Sequence, residues 1–274
     1  MNYDEILGSL DAVDADSRIA RHGADCHAPD RKAVIGILKD LQALLFPGYF
    51  RGEAPIGQRE LLARVEACLT SQITCSLRFR DAGGDPGALC EAFLSRLPAI
   101  KSALIKDAEA LYLGDPAAKC REEILLCYPG FYAISIYRMA HELYRLEVPL
   151  LPRIMTEYAH EKTGIDIHAG ARIGDYFFID HGTGIVIGET TVIGHHVKLY
   201  QGVTLGAKSF ETDADGNPIK NIKRHPNIGN HVVIYAGATI LGGSTTVGDG
   251  CVIGGNVWLT HSVPAGQIVY YKEK

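Results

Sequence analysis

Two pairs of aspartate and histidine lie close together in the sequence and could supply a general base. Asp166 stands two residues before His168, and Asp180 stands directly before His181. Asp166 and His181 are fifteen residues apart, which is close to one turn of the repeat described below, so their side chains can meet across neighbouring turns. A carboxylate behind a histidine fixes its tautomer and raises its basicity. The spacing therefore predicts a histidine base, with a surface histidine and a corner aspartate as the alternative.

A second polar group closes the stretch 209–226, which is rich in polar and turn-forming residues and ends in Lys223-Arg224-His225-Pro226. Arginine suits a carboxylate because its planar guanidinium donates two parallel hydrogen bonds. A solvated run of charge is the alternative interpretation. No nucleophile elbow and no phosphate-binding glycine loop ending in Lys-Ser/Thr occurs in the chain. The histidines match no strong zinc-ligand spacing, so we expect no metal; they include His195, His196, His225 and His231.

The element that must position these residues is a repeat of six. From Ile167 onward a branched aliphatic residue returns every six positions, first as Ile167, Ile173 and Ile179, and then, after a two-residue slip, as Ile187, Ile193, Leu199 and Leu205. This period fits neither an amphipathic helix nor a long alternating strand. It predicts a solenoid of short parallel strands in which three hexads form one triangular coil, with glycine at tight corners where φ is positive. An ordinary glycine-rich β-domain is the alternative.

The first part of the chain has helical rather than hexad periodicity. Residues 1–162 are predicted to form an all-helical domain, and residues 163–274 a parallel β-helix with an inserted loop at about 209–226, which makes an α+β chain. We expect Asp115 to cap a helix that starts at Pro116. The other expected helices span 33–45, 58–76, 86–97, 100–112, 131–146 and 151–163, with a break at Pro98.

Composition limits the class of protein. A net charge of −5 over 274 residues argues against nucleic acid as the main partner. No apolar run approaches the length of a membrane span, and the acidic N-terminus lacks a signal-peptide core. The seven cysteines are scattered and never form Cys-x-x-Cys, which favours reduced thiols and a cytoplasmic location.

Several motifs together resemble the serine O-acetyltransferase family of the hexapeptide-repeat acyltransferases. They are Asp166-Ile-His, then Ile179-Asp-His-Gly-Thr-Gly-Ile-Val-Ile-Gly-Glu-Thr, Gln201-Gly-Val-Thr-Leu-Gly and Arg224-His-Pro. Upstream, Gly114-Asp-Pro-Ala and the helix containing Gly130-Phe131, Ala133, Tyr137-Arg138 and His141 are also similar to the family. The resemblance covers about residues 107–264. The hexapeptide repeat alone would indicate only the acyltransferase superfamily.

The resemblance implies a left-handed β-helix and direct acetyl transfer from acetyl-CoA, as co-substrate, to the hydroxyl of L-serine. It implies His181 as the general base and Asp166 as its orienting partner. Serine would be held by Asp115, Asp180, Arg224 and His225, with the acids facing its ammonium and Arg224 facing its carboxylate. L-Cysteine would inhibit, because it keeps both charged groups of serine.

The family also implies an assembly. Acetyl-CoA would lie in the groove between neighbouring β-helices of a homotrimer, which can pair into a dimer of trimers. The candidate backbone contacts for the coenzyme are Gly206, Ala207, Ala236 and Gly237. Many relatives bind O-acetylserine sulfhydrylase through a tail ending in Ile. Here the last residues are Lys272-Glu273-Lys274, which would place a cation in an apolar slot, so we expect no stable complex with that enzyme.

Three other interpretations remain open at this point. Another hexapeptide acetyltransferase, acting on a sugar hydroxyl or amine, would keep the base but would not need the combination of Arg224 and Asp180. A catalytically silent β-helix scaffold would have no reason to retain Asp166, His181 and Arg224 together. A metal-dependent hydratase on the same solenoid would bind zinc.

Overall fold

The first part of the chain is helical. The computed structural model describes residues 2–15, 26–51 and 56–271, so the tail residues 272–274 lie outside it. Its helices are α1 (Tyr3–Ala15), α2 (Arg31–Leu45), α3 (Gln58–Phe79), α4 (Pro86–Ser95), α5 (Leu97–Gly114), α6 (Arg121–Cys127), α7 (Pro129–Arg145) and α8 (Leu151–Thr163). The bounds of α8 agree with the prediction, and those of α2, α3 and α7 differ from it by a few residues.

Two predictions about helix ends need correction. The predicted break between two helices exists but falls at Arg96, because Pro98 lies in the first turn of α5, where a missing N–H costs nothing. Asp115 does not start a helix at Pro116, because it is the C-terminal cap of α5 and the next helix begins at Arg121. One Asp115 carboxylate oxygen instead accepts the Ala117 N–H at 2.8 Å and closes a local turn.

The second part is a three-sided parallel β-helix, which confirms the predicted α+β fold class. The first sheet contains β1 (Asp166–Ile167), β4 (Val186–Ile187), β7 (Thr204–Gly206), β10 (Thr239–Leu241) and β13 (Trp258–Leu259). The second contains β2 (Arg172–Ile173), β5 (Val192–Ile193), β8 (Asn227–Ile228) and β11 (Thr246–Val247). The third contains β3 (Phe178–Ile179), β6 (Lys198–Leu199), β9 (Val233–Ile234), β12 (Val252–Ile253) and β14 (Ile268–Val269).

Hexad aliphatic residues stack inside the coils as predicted. In the first sheet Ile167 pairs with Ile187, Ile187 with Leu205, and Leu205 with Ile240, all in parallel register. Their side chains are buried. Each strand is only two or three residues long, so one interior side chain per hexad fills the prism.

Glycine takes tight corners with positive φ as predicted at Gly182, Gly202 and Gly237, but the glycines directly after an interior aliphatic residue have another reason. Glycines such as Gly194 and Gly248, which follow the interior aliphatic residue, do not have positive φ. Glycine is required there because any side chain would clash with the neighbouring coil. A Cβ on Gly194 would lie 2.8 Å from the Gly229 backbone, and one on Gly248 would lie 2.5 Å from the Ala265 nitrogen. At the corner between the second and third sheets positive φ occurs two residues further on, at Tyr176, His196 and His231 with φ of 60°, 57° and 55°, and at Gly250 with φ of 68°.

Helix α7 joins the helical part to the first coil of the β-helix. The Tyr137 hydroxyl donates to the Ala171 carbonyl at 2.6 Å, and His141 Nδ1 donates to the Ala169 carbonyl at 2.7 Å. Arg138 donates to the Ile173 and Gly174 carbonyls and forms a buried ion pair with Asp107 of α5. The Tyr-Arg…His motif is therefore structural.

One buried apolar cluster runs from α2 through the last coils, and the change from helix to strand falls between Thr163 and Asp166. A division into separate domains at about residue 162 stays a prediction. Among the helices of the described residues, none combines the length and the apolar character needed to cross a membrane.

Candidate active site

The candidate residues lie at two of the three corners of the prism. Residues 180–185 connect the third sheet to the first and carry Asp180 and His181; we call this turn, together with Asp115, the acidic corner. Residues 188–191 connect the first sheet to the second, and the longer segment 207–226 makes the same connection one coil later. We call these two segments the basic corner.

The acidic corner groups three of the predicted residues. His181 Nδ1 lies 3.8 Å from Asp180 Oδ1, and the His181 side chain is 70% exposed. Asp115 accepts a hydrogen bond from the Tyr128 hydroxyl at 2.5 Å. The pKa of Asp115 is lowered, first by this bond, then by the Ala117 N–H and by the nearby His181. Asp115 is therefore a carboxylate facing an exposed histidine.

Two glycines let the helical part approach this corner. A Cβ on Gly114 would lie 2.5 Å from the Phe178 ring, and one on Gly130 would lie 2.5 Å from the Ile179 carbonyl oxygen. Only glycine permits such close packing of the end of α5 and the start of α7 against β3. Asp115 follows the first of these glycines directly, and Asp180 follows β3 directly, so the packing sets the position of one acid against the other.

The expected pairing of Asp166 with His181 stays a prediction. Among the described residues no hydrogen bond joins these two side chains. The structure instead places an Asp166 oxygen within 4.8 Å of ligand atoms of Glu157 and His160. These three residues could surround a cation, but Glu157 is already paired with Arg153 at 2.5 Å, which competes for that carboxylate.

The basic corner holds Arg224 in a network of partners. Its guanidinium donates to Glu189 at 2.6 Å, and Glu189 also accepts the Tyr144 hydroxyl at 3.1 Å. The Arg224 side chain is only 23% exposed. A pocket of about 320 Å³ at this corner is lined by Tyr144, Arg172, Glu189 and Lys223, among others. The segment 207–226 is thus anchored where it returns to the coil.

His225 and Thr190 complete this corner. The Thr190 hydroxyl accepts the backbone N–H groups of Arg224 and His225 at 3.0 and 3.1 Å, while His225 Nδ1 accepts the Thr190 N–H at 3.1 Å. Burial, followed by the Arg224 charge, lowers the pKa of His225 to about 4, so its ring is neutral at pH 7. Gly188 is required here, because a Cβ would lie 2.1 Å from that ring.

The predicted coenzyme contacts divide between the same two corners. Gly206 ends β7 and Ala207 begins the long segment of the basic corner, whereas Ala236 and Gly237 lie between β9 and β10, on the edge of the prism that carries the acidic corner. Each pair has one carbonyl that already accepts a backbone hydrogen bond from the next coil. The Gly206 carbonyl accepts the Gly242 N–H, and the Ala236 carbonyl accepts the Asn256 N–H. A carbonyl accepts two hydrogen bonds, so each keeps one acceptor position.

In one chain the strands of the first sheet lie between the acidic and basic corners, so the two groups of charged side chains are on different edges of the prism. The face between them carries exposed apolar side chains, including Trp258 at 69% exposure. The sequence reasoning assigned no roles to Tyr128, Glu189 and Thr190. Glu189 and Thr190 did carry a signal, because they close the motif that begins at Ile179, whereas Tyr128 stood only at a turn before Pro129-Gly130.

A β-helix of hexapeptide repeats that carries a histidine at one edge and an arginine at the next defines the class of hexapeptide acyltransferases. No protein-family model matches the chain. A serine acetyltransferase of Synechococcus elongatus is 50% identical over 260 residues, which cover 88% of this chain and 81% of the relative. This chain belongs to the serine acetyltransferase family and is an acyltransferase.

Solved structures agree with this assignment. The crystal structure of serine acetyltransferase isoform 3 from Entamoeba histolytica, in complex with cysteine, is 35% identical with a TM-score of 0.76, over 97% of this chain and 91% of that one. The serine acetyltransferase of Neisseria gonorrhoeae in complex with serine is 27% identical with a TM-score of 0.60, over 88% and 95%. These comparisons give no support to the sugar acetyltransferase alternative.

Proposed function

We propose that this chain transfers the acetyl group of acetyl-CoA to the hydroxyl of L-serine, at a site formed by the acidic corner of one copy and the basic corner of the next. The observation that carries this proposal is the separation of the two corners within one chain. A zwitterionic substrate needs both signs of charge in one pocket, and a second copy can supply the missing half. The exposed apolar face between the corners supports a contact there, and a homotrimer would repeat it three times.

His181 is the base of the proposed reaction. Its ring takes the proton of the serine hydroxyl as the oxygen attacks the thioester carbonyl. A new C–O ester bond forms, the C–S bond breaks, and the imidazolium returns the proton to the leaving sulfur. The high exposure of His181 leaves the ring accessible to both substrates. Asp166 would orient the ring once serine and a neighbouring copy are in place. The reaction uses an activated thioester and requires no metal ion.

The charges of the two corners match serine. Asp115 and Asp180 would receive its ammonium, and Arg224 would donate to its carboxylate. Glu189 takes one side of the Arg224 guanidinium and holds it in place, which leaves other N–H groups for the substrate. Neutral His225 would donate through Nε2, because its Nδ1 already accepts from Thr190.

The coenzyme fits the groove between two such edges. Ala236 and Gly237 of one copy and Gly206 and Ala207 of the next present backbone with almost no side chain. Gly237 has φ of +71°, and a Cβ there would lie 2.3 Å from the Asn256 side chain. Only glycine fits this position, so no side chain projects from it into the groove. We also propose that L-cysteine competes with serine, in keeping with the cysteine-bound Entamoeba relative.

The test is subunit complementation. His181→Ala and Arg224→Ala chains are each expected to be nearly inactive with serine. When they are refolded together, roughly one site in four combines an intact acidic corner with an intact basic corner, so activity should return to about a quarter of wild type. Native mass spectrometry verifies that mixed trimers form. Mixed trimers without recovered activity would place both groups in the site of a single chain and contradict the proposal.

A further inference from the structure

We propose that Tyr128 is a positioning residue for the ammonium of serine, and that it acts through Asp115. The inference rests on the proposed role of Asp115 in the acidic corner. Tyr128 precedes α7, and its hydroxyl donates to one Asp115 oxygen at 2.5 Å. The other oxygen is held by the Ala117 N–H at 2.8 Å. With one bond on each oxygen, the plane of the carboxylate is fixed.

The location of Tyr128 connects it to the rest of the acidic corner. Gly130, two residues later, packs against the Ile179 carbonyl, so the start of α7 is fixed relative to β3 and to the following Asp180. The pKa of the Tyr128 hydroxyl is raised, first by its bond to Asp115, and Asp180 contributes to the same shift. Tyr128 therefore lies in the field of both acids expected to face the ammonium.

A neutral phenol at this place has a particular advantage. It orients Asp115 and leaves the negative charge of the carboxylate for the substrate. A lysine or arginine at this position would instead pair with the carboxylate and compete with the ammonium of serine. Each Asp115 oxygen retains acceptor capacity beyond the bond that it already has. The ammonium can then donate to a carboxylate that is already in position, which lowers the ordering cost of binding.

The test compares ligands with and without the amino group. In Tyr128→Phe we expect the KM for L-serine to rise by about tenfold, the effect of losing one hydrogen bond to a charged acceptor. The kcat and the KM for acetyl-CoA should stay within about twofold, because the base and the coenzyme groove are unchanged. The Ki of 3-hydroxypropionate, which is serine without its amino group, should not change. Tyr132→Phe, one turn into α7, is the matched control and should leave all four constants unchanged.

A merely structural role for Tyr128 would weaken serine and 3-hydroxypropionate equally, and that result would overturn the proposal. So would an unchanged KM for serine. Asp115→Asn, measured in parallel, separates this failure from failure of the site itself. Selective loss of serine binding in Asp115→Asn, with no effect of Tyr128→Phe, refutes only the role of Tyr128. An Asp115→Asn enzyme with normal serine binding refutes the assignment of Asp115 and the role of Tyr128 with it.

Discussion

The acidic and basic corners are built in opposite ways. At the acidic corner the key side chain, His181, is 70% exposed and has one acid at 3.8 Å. At the basic corner Arg224 is 23% exposed, His225 is buried, and both are bound to Glu189 or Thr190. Under the proposed function, the difference teaches that the group which moves a proton stays accessible, whereas the groups which receive the substrate carboxylate are fixed beforehand.

The largest expected effect is at the exposed corner. His181→Ala should lower kcat by about 10²–10⁴-fold, the usual contribution of general acid–base catalysis, with little change in thermal stability because the side chain is largely exposed. Steady-state kinetics and calorimetry measure the two quantities. Asp166→Asn should cost less, because it disorients the base without removing it. Near-normal turnover of folded His181→Ala would remove His181 from the mechanism.

The buried corner should be sensitive to acid. The pKa of His225 is about 4 in the folded chain, against 6.5 for an unperturbed histidine. Between these values the unfolded chain binds a proton that the folded chain does not, so stability falls as the pH falls from about 6.5 to about 4. The loss approaches about 3 kcal/mol. Denaturation of wild type and His225→Gln across this range should give curves that converge at low pH; parallel curves would contradict the assignment.

Removing Arg224, the proposed carboxylate-binding group, should affect substrate and inhibitor together. Arg224→Ala should raise the KM for serine and the Ki of cysteine by about 10–100-fold, corresponding to about 1.5–3 kcal/mol for a charged hydrogen bond. Arg172→Ala is the matched control, since it removes an equal charge from an exposed residue that lines the same pocket. Equal effects of the two substitutions would show that serine responds to the positive electrostatic potential of the basic corner and not to a direct hydrogen bond from Arg224.

The smallest effect should come from the support beneath Arg224 and His225. Thr190→Val leaves their two backbone N–H groups without the hydroxyl acceptor. The KM for serine should rise by about three- to tenfold, while the KM for acetyl-CoA stays constant. Thr190→Ser keeps the hydroxyl and should behave as wild type. An effect of Thr190→Ser as large as that of Thr190→Val would assign the loss to the methyl group instead.

The fold could be predicted from sequence because every hexad repeats the same requirement for one interior aliphatic residue. The polar candidates could be found because they interrupt that repeat. Their division between two corners could not be predicted, since it depends on where a two-residue slip at Ile187 and a long insertion fall around the prism. Asp115 was predicted to start a helix because Asp-Pro is common at helix N-termini. Its carboxylate instead accepts hydrogen bonds from the Tyr128 hydroxyl and the Ala117 N–H, and these depend on tertiary packing.

The bonds from α7 to the first coil also bear on aggregation. A parallel β-helix exposes a row of unpaired backbone groups at each end, and such an edge can template the addition of another strand. Tyr137, Arg138 and His141 donate to the carbonyls of Ala169, Ala171, Ile173 and Gly174, so α7 covers the first coil at those positions and keeps another strand from pairing there. A fragment that begins at Gly164 would lose this protection, and we expect it to polymerise end to end into fibres rather than to remain as separate β-helices.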